Sequence, residues 1–436
     1  MRHLLGNLSP NASRAVFSGM ATLALGSGAG RLISIATIPI VTRIYGPEDF
    51  GVLSVFTAVV LILAPLATLR YVLALPLPRH DGLAMNLLAL TACLLVGIGG
   101  LLALALWLLG EPLFGLLSME VLAPWWWLIV LGVLGTAAYE ALTLWATRKR
   151  AYRVMAQTQV TQSVAGAGVK IALGLAGLQP LGLLIGQVVA QAGGTIRLWR
   201  NFVSDFRANW HHIRYERMRI IAHRYRAFPL WRVPSQLLMI FSMQAPVLFM
   251  SGLYDANTTG QFGLAVTALS IPISVLGQAA GKALYGEAAQ LMQTDRGQIL
   301  KVAANVQKNL FLMAMPPAII LFFQGDAIFG LLFGHEWVEA GRFASILSVA
   351  LALQFTSAPL VQLMNLLREQ FTFLVMNVLR FAGVIVVFQL SDQLSFAASE
   401  AVMAYAIFSA TFYFVISLFV LFALRGESAG NANTKR

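Results

Sequence analysis

Residues 45–51 read Y-G-P-E-D-F-G, and residues 254–263 read Y-D-A-N-T-T-G-Q-F-G, each between two long apolar stretches. A second echo follows in the same order: G-E-P-L-F-G-L-L at 110–117, then G-D-A-I-F-G-L-L at 325–332. The offsets nearly agree, 212 residues from Gly51 to Gly263 and 215 from Gly110 to Gly325. Two matches in order and at one spacing point to a duplicated half. Internal repeats are frequent in membrane transporters, whose sites lie where the repeats meet.

Composition sets the class. Of 436 residues 58% are hydrophobic and only 11% charged, where a soluble domain carries about a quarter charged. Mean hydropathy is +0.75. Apolar runs of ~20 residues recur from end to end, as a bundle of spanning helices requires. Twelve spans are expected, roughly 15–40, 50–75, 83–109, 125–146, 154–178, 181–199, 229–253, 262–285, 308–323, 342–367, 371–390 and 397–424. A cleaved signal peptide is the rival reading of the first. A retained helix is preferred, because the duplication needs it and no small-residue cleavage site stands out. Cys93 is the only cysteine, which removes disulfide frameworks and cysteine metal sites.

Lysine and arginine assign the sides. Even-numbered connections carry Arg79, the Arg148–Lys149–Arg150–Arg153 cluster, seven arginines between 200 and 226, Arg296 with Lys301, and Arg368. Odd-numbered connections carry acids such as Glu48, Asp49, Glu111, Glu120, Asp255, Glu336, Glu339 and Asp392, and only Arg43 and Arg342 break the pattern. Both termini are therefore expected in the cytoplasm. The net charge of +12 is mostly this asymmetry and gives no reason to expect nucleic acid as a partner. The fold class read here is an all-α polytopic membrane protein with about twelve transmembrane helices in two parallel-repeat six-helix lobes. The expected organisation is a first lobe at 1–200, a basic cytoplasmic linker at 201–228, a second lobe at 229–424 and a disordered cytoplasmic tail at 425–436. The linker, R-N-F-V-S-D-F-R-A-N-W-H-H-I-R-Y-E-R-M-R from 200 to 219, reads either as an ordinary positive-inside connector or as a helix on the anionic leaflet.

The repeated motifs read as architecture. Gly46 suits a left-handed residue ending the first helix, Pro47 the first turn of the next, and Glu48 and Asp49 its positive N-terminal end. G-E-P-L-F-G-L-L reads as a short interfacial helix after a span.

Charged groups inside spans are costly and mark a functional path by default. Arg31, Lys170 and Arg380 lie deepest. Arg70 and Lys282 each lie 19 residues after the Phe-Gly pair of their own half, lining a cavity or snorkelling. Arg197 is near enough to a span end to snorkel. Gln162 continues a polar stripe toward Lys170, and Gln187 and Gln191 mark one face of the sixth span. Such amides bond sugar hydroxyls or glue helices together. Glu140 is the one acid placed well inside a span; it pairs with Arg70 or Arg148, or else serves as a proton or sodium site. The balance is cationic, which suits a phosphate or pyrophosphate cargo.

The stretch R-L-I-S-I-A-T-I-P-I-V-T-R-I-Y-G-P-E-D-F-G, Arg31 to Gly51, resembles the first span and hairpin of the polysaccharide transport family. These are the O-antigen and exopolysaccharide flippases of the multidrug/oligosaccharidyl-lipid/polysaccharide exporter superfamily. The run G-D-A-I-F-G-L-L-F-G from Gly325 is similar to that family's second-half pattern. The resemblance implies a V-shaped pair of six-helix lobes around a cationic cavity in a bacterial cytoplasmic membrane. Its implied cargo is an undecaprenyl-pyrophosphate-linked oligosaccharide, flipped between leaflets by alternating access. Partners would be that lipid-linked oligosaccharide, membrane lipids and other polysaccharide-assembly proteins. Arg31 lies in the matching stretch and takes a cavity role by that match; Lys170 and Arg380 follow by analogy of position. Leu32 follows Arg31, which departs from the Arg-Asp-Arg arrangement of the lipid II flippase branch. No Walker A loop is present, no cofactor is expected, and the chain is read as a transporter and not an enzyme. The alternatives are a cation-coupled drug exporter of the same superfamily, which should favour acids in its lobes, and a membrane glycosyltransferase or polymerase, which would need a large outer loop with catalytic carboxylates.

Overall fold

The computed structural model describes residues 10–294, 297–366 and 370–433, with side chains described mainly between Leu25 and Arg425. Arg296 and Arg368 lie outside the described residues, as does the side chain of Lys282. Fifteen α-helices follow one another among the described residues. They are α1 (Pro10–Val41), α2 (Pro47–Ala67), α3 (Asp81–Gly115), α4 (Trp126–Arg148), α5 (Tyr152–Leu175), α6 (Leu181–Ala192), α7 (Thr195–Asn209), α8 (Tyr215–Arg224) and α9 (Val233–Leu253). Then come α10 (Ala256–Pro272), α11 (Gln278–Thr294), α12 (Gly297–Phe333), α13 (Val338–Leu366), α14 (Gln370–Gln393) and α15 (Ala398–Asn433). Nine helical stretches among the described residues are long and apolar enough to cross a membrane, and they fall on nine of the twelve expected spans. The other three have local reasons to miss the criterion. The apolar part of α1 among the described residues is Leu25–Val41; α5 carries Gln157, Gln159, Gln162 and Lys170; and the eighth span is divided by a π-helical turn, Ile273–Gly277, between α10 and α11. The chain is a multi-pass, all-α membrane protein.

Several ends differ from expectation. The second helix stops at Ala67, because Leu69 and Arg70 take left-handed backbone and a 3-10 turn, Tyr71–Ala74, follows. The sixth ends at Gly193–Gly194 instead of running to 199. The first echo, 110–117, is not a separate interfacial helix: α3 runs unbroken through Gly115. The second echo does follow a break, since Gln324 leaves helical geometry (φ −132°, ψ 18°) just before Gly325. Gly46 is not left-handed either. Its N–H donates to Asp49 Oδ2 at 3.2 Å, so it caps α2, and the third helical residue reaches back as in half a capping box. The last helix continues to Asn433, into the stretch expected as a tail.

The chain divides into two compact units, residues 1–45 with 55–240, and residues 46–54 with 241–436. In the first, α1 lies along α5 and α5 along α6. Gly26 and Gly30 open the α1 surface: a Cβ on Gly30 would stand 3.0 Å from the Gln159 carbonyl and the Ser163 hydroxyl. This is the small-xxx-small spacing that lets helix backbones approach. The basic linker folds as α7 and α8 against this same unit. Leu198, Phe202 and Phe206, spaced at four residues, join Met85, Leu142, Trp145 and Met155 in one buried cluster. Fully buried Asn86 on α3 holds the turn between α7 and α8, donating to the His212 carbonyl at 2.9 Å and accepting from Arg214 N–H at 3.0 Å. Tyr71 donates to the Ala222 carbonyl of α8 at 3.0 Å.

In the second unit α13 is central, against α10, α11, α12 and α15. The first-half hairpin segment packs here against its own echo. A Cβ on Gly51 would strike the Ala256 carbonyl, and one on Gly260 the Pro47 carbonyl. Phe50 meets the buried Trp337 edge-on at 4.8 Å.

Candidate functional site

Lys170 sits in the last third of α5, five residues before Leu175, where the sequence surrounds it with Gly166, Gly168 and Gly174. Its Nζ donates to Gln187 Oε1 on α6 at 2.8 Å. Gly186 makes room for it, because a Cβ there would collide with the lysine stem. On the other flank Tyr45 donates to the Lys170 carbonyl at 2.7 Å. The lysine is half-buried, and a neutral amide partner leaves its positive charge uncompensated by any carboxylate in these bonds.

The other amides on this side are also engaged. Gln162 Oε1 accepts from Gly194 N–H at 3.3 Å, and Gln191 Oε1 accepts from Thr136 at 3.4 Å. Ser27 donates to Gln159 Oε1. Arg31 is exposed on α1 one residue past the Gly30 contact. The contacts Gly26 to Ala156, Gly30 to Gln159 and Tyr45 to Gly174 set α1 and α5 parallel. Arg31 is then level with residue 161, nine residues from Lys170, or about 14 Å along the axis at helical rise. Ser27, Gln159, Gln162, Lys170, Gln187 and Gln191 form a polar track on α1, α5 and α6, and Arg31 is exposed at a different level of α1.

Arg70 belongs elsewhere. Its left-handed backbone ends α2 and turns its side chain to α4, where one guanidinium nitrogen donates to both Glu140 oxygens at 2.9 and 3.0 Å. The side chains are 11% and 31% exposed, so most of each is removed from water. Of the two partners expected for Glu140, the structure selects Arg70. Arg148 instead donates to Asp81 Oδ1 at 2.9 Å, while Lys149 pairs with Asp81 at 2.7 Å and Asp205 at 3.5 Å. The basic cluster after α4 thus clasps the start of α3 and α7 as well as marking a side of the membrane. Sequence reasoning named neither Asp81 nor Asn86; an acid and an amide at the foot of an apolar helix were the available signals.

In the second unit Arg380 on α14 is half-buried, its guanidinium 5.4 Å from the ring centre of Tyr413 on α15. Tyr413 was also missed, although a tyrosine within an apolar span needs something for its polar end. Behind it, Ser357 donates to the Tyr413 carbonyl at 3.0 Å and lies 2.8 Å from the Ser417 hydroxyl. Lys282 stays outside the described side chains. Among the described residues no cluster of three or more histidine, cysteine or acidic side chains could hold a metal ion.

The fold and these positions can be set beside known proteins. Residues 40–342 match the family model described as "Polysaccharide biosynthesis protein". The succinoglycan biosynthesis transport protein ExoT of Rhizobium meliloti (strain 1021) is 24% identical over 324 residues, 73% of this chain. The chain spans only 62% of that relative's length. Among solved structures, the lipid II flippase MurJ in an inward closed conformation aligns over 92% of this chain and 87% of its own, with a TM-score of 0.67 and 10% identity. The MATE multidrug transporter DinF-BH, solved in complex with R6G, aligns over 94% and 95%, with a TM-score of 0.62 and 14% identity. An inward-facing MATE transporter of the MOP superfamily covers 93% and 96%, at a TM-score of 0.56 and 14% identity. At such identities the structural likeness speaks to fold alone. The sequence match over residues 40–342 goes further: this chain belongs to the polysaccharide biosynthesis protein family and shares its fold with transporters of the MOP superfamily.

Proposed function

We propose that this protein flips a lipid-linked oligosaccharide, carried on undecaprenyl pyrophosphate, across the bacterial cytoplasmic membrane during assembly of a cell-surface polysaccharide. One observation carries the reading beyond the family: Lys170, within α5, is held by the neutral amide of Gln187 and not by a carboxylate, which leaves it suited to an anionic cargo. A cation inside a spanning helix is costly unless it serves a path or a partner. Arg31 and Arg380 extend the same cationic character, and Gln162 and Gln191 offer amides to sugar hydroxyls. Alternating access would expose these groups to each leaflet in turn, with both termini in the cytoplasm as the charge pattern directs.

The second reading, a cation-coupled exporter of small molecules, draws on the DinF-BH likeness. It needs an acid able to take up a proton or sodium. Glu140 is the candidate, and it is chelated by Arg70, which favours the flippase reading.

The test is a leaflet-resolved assay in a deletion strain, with an impermeant glycan-modifying reagent applied to intact cells. Lipid-linked oligosaccharide should accumulate on the cytoplasmic side and be relieved by the wild-type gene but not by Lys170→Met or Arg31→Ala expressed at normal abundance. Normal outer-leaflet delivery in the deletion strain would overturn the proposal.

A further inference from the structure

Away from the polar track, the second unit carries a groove of about 740 Å³ between the start of α12 and the end of α15. Its lining is Leu300, Lys301 and Ala304 from one helix, and Val415, Leu418, Phe419, Leu421, Phe422 and Arg425 from the other. Seven of these nine are apolar and none is acidic. The floor is firm, because Ile299 and Ala303 pack on Ile416, Val420 and Leu424 in a buried cluster. The rim is open, with Val415, Leu418 and Phe422 exposed by 53%, 52% and 74%.

From Val415 to Arg425 is ten residues, about 15 Å at helical rise, which is about half of a 30 Å hydrocarbon core. Arg425 closes the end where α15 leaves its apolar run, at the side the charge pattern assigns to the cytoplasm. Lys301 stands on the facing helix.

We propose that this groove is a binding site for an anionic phospholipid of the cytoplasmic leaflet. One acyl chain lies along Leu300, Leu418 and Phe422, and the headgroup phosphate sits between Lys301 and Arg425. The volume lies within the range of small-molecule pockets, the length matches one leaflet, and two cations with no acid complement a phosphate. The lining offers no side-chain amide or hydroxyl for a glycan, which separates it from the polar track. The proposal does not depend on the cargo.

The test uses the full chain in nanodiscs of phosphatidylcholine, titrated with phosphatidylglycerol and followed by thermal melting and by native mass spectrometry. Phosphatidylglycerol should raise the melting temperature and leave a retained lipid adduct. The double variant Lys301→Gln/Arg425→Gln should lose most of the rise and the adduct, whereas Lys308→Gln, a change on α12 outside the groove, should keep both. Leu418→Gln should weaken the adduct with the cations intact. An unchanged rise and adduct in the double variant would overturn the proposal. So would an equal effect from soluble glycerol phosphate, which needs no tail, or selective displacement by undecaprenyl phosphate, which would make the groove a site for carrier lipid.

Discussion

The two hairpins at 45–51 and 254–263 share one pattern and cap their helices by opposite means. In the first, the acid is the third helical residue, and Asp49 reaches back to the Gly46 N–H. In the second, the acid has moved to the cap itself, and Asp255 accepts from Thr258 N–H at 2.8 Å. The tyrosine before each turn plays the same part in both halves. Tyr45 bonds the Lys170 carbonyl of α5, and Tyr254 the Phe396 carbonyl just beyond α14. The shared element is thus a tie from the hairpin tyrosine to a backbone carbonyl of its own half, on α5 in the first and in the connection after α14 in the second, while the cap is free to vary. The deep cations show the same contrast. Lys170 uses an amide and Arg380 an aromatic face, each suited to its charge: a compact ammonium with directed donors, and a planar guanidinium that stacks.

The comparison breaks most severely at the crossing of the two hairpins. Gly260→Val and Gly51→Val should each cost roughly 3 kcal/mol or more, because the new side chain meets backbone that cannot swing away. Gly46→Ala, with open space around its Cβ, should leave the melting temperature of the purified protein nearly unchanged. Exchanging the cations comes next. Arg380→Lys should lose about 1–2 kcal/mol of stacking on Tyr413, and Lys170→Arg a similar amount from crowding at Gly186. Equal melting temperatures for wild type and both swaps would show that charge alone matters. Tyr45→Phe and Tyr254→Phe should each cost about 1 kcal/mol; a loss at one site only would mean the ties are not equivalent. The smallest effects belong to the caps. Asp255→Ala should cost about 1 kcal/mol and Asp49→Ala only a few tenths, since the cap position of the first hairpin is the more tolerant glycine.

Much of this was legible in the residues because it is local. Apolar runs, the tandem motifs and the acids near each hairpin placed the helices and their order. Glu140 was readable as an acid paired with Arg70 or Arg148, and the choice of Arg70 depends on the left-handed turn at Leu69 and Arg70. The Lys170–Gln187 bond joins two residues that the pattern had already singled out, yet nothing in it says that α5 and α6 are pressed together at Gly186. The Asp81 clasp and the Arg380–Tyr413 stack were hidden for the same reason. Each is formed across helices, where sequence spacing carries no information on rotation about the axis.

The grip of Asn86 and Tyr71 on the linker bears on how such a chain could be taken apart. With α7 and α8 fastened to the first unit, the segment from 200 to 224 behaves as a seventh and eighth element of that half and not as rope between two halves. A gene cut near residue 226 would leave the linker helices on the first fragment, while the second fragment would lack residues 46–54 of its own unit and should need the first fragment co-expressed to be stable. A cut at residue 200 would leave Trp145 and Met85 without the Phe202 and Phe206 that cover them, and the first fragment should be cleared by membrane proteases.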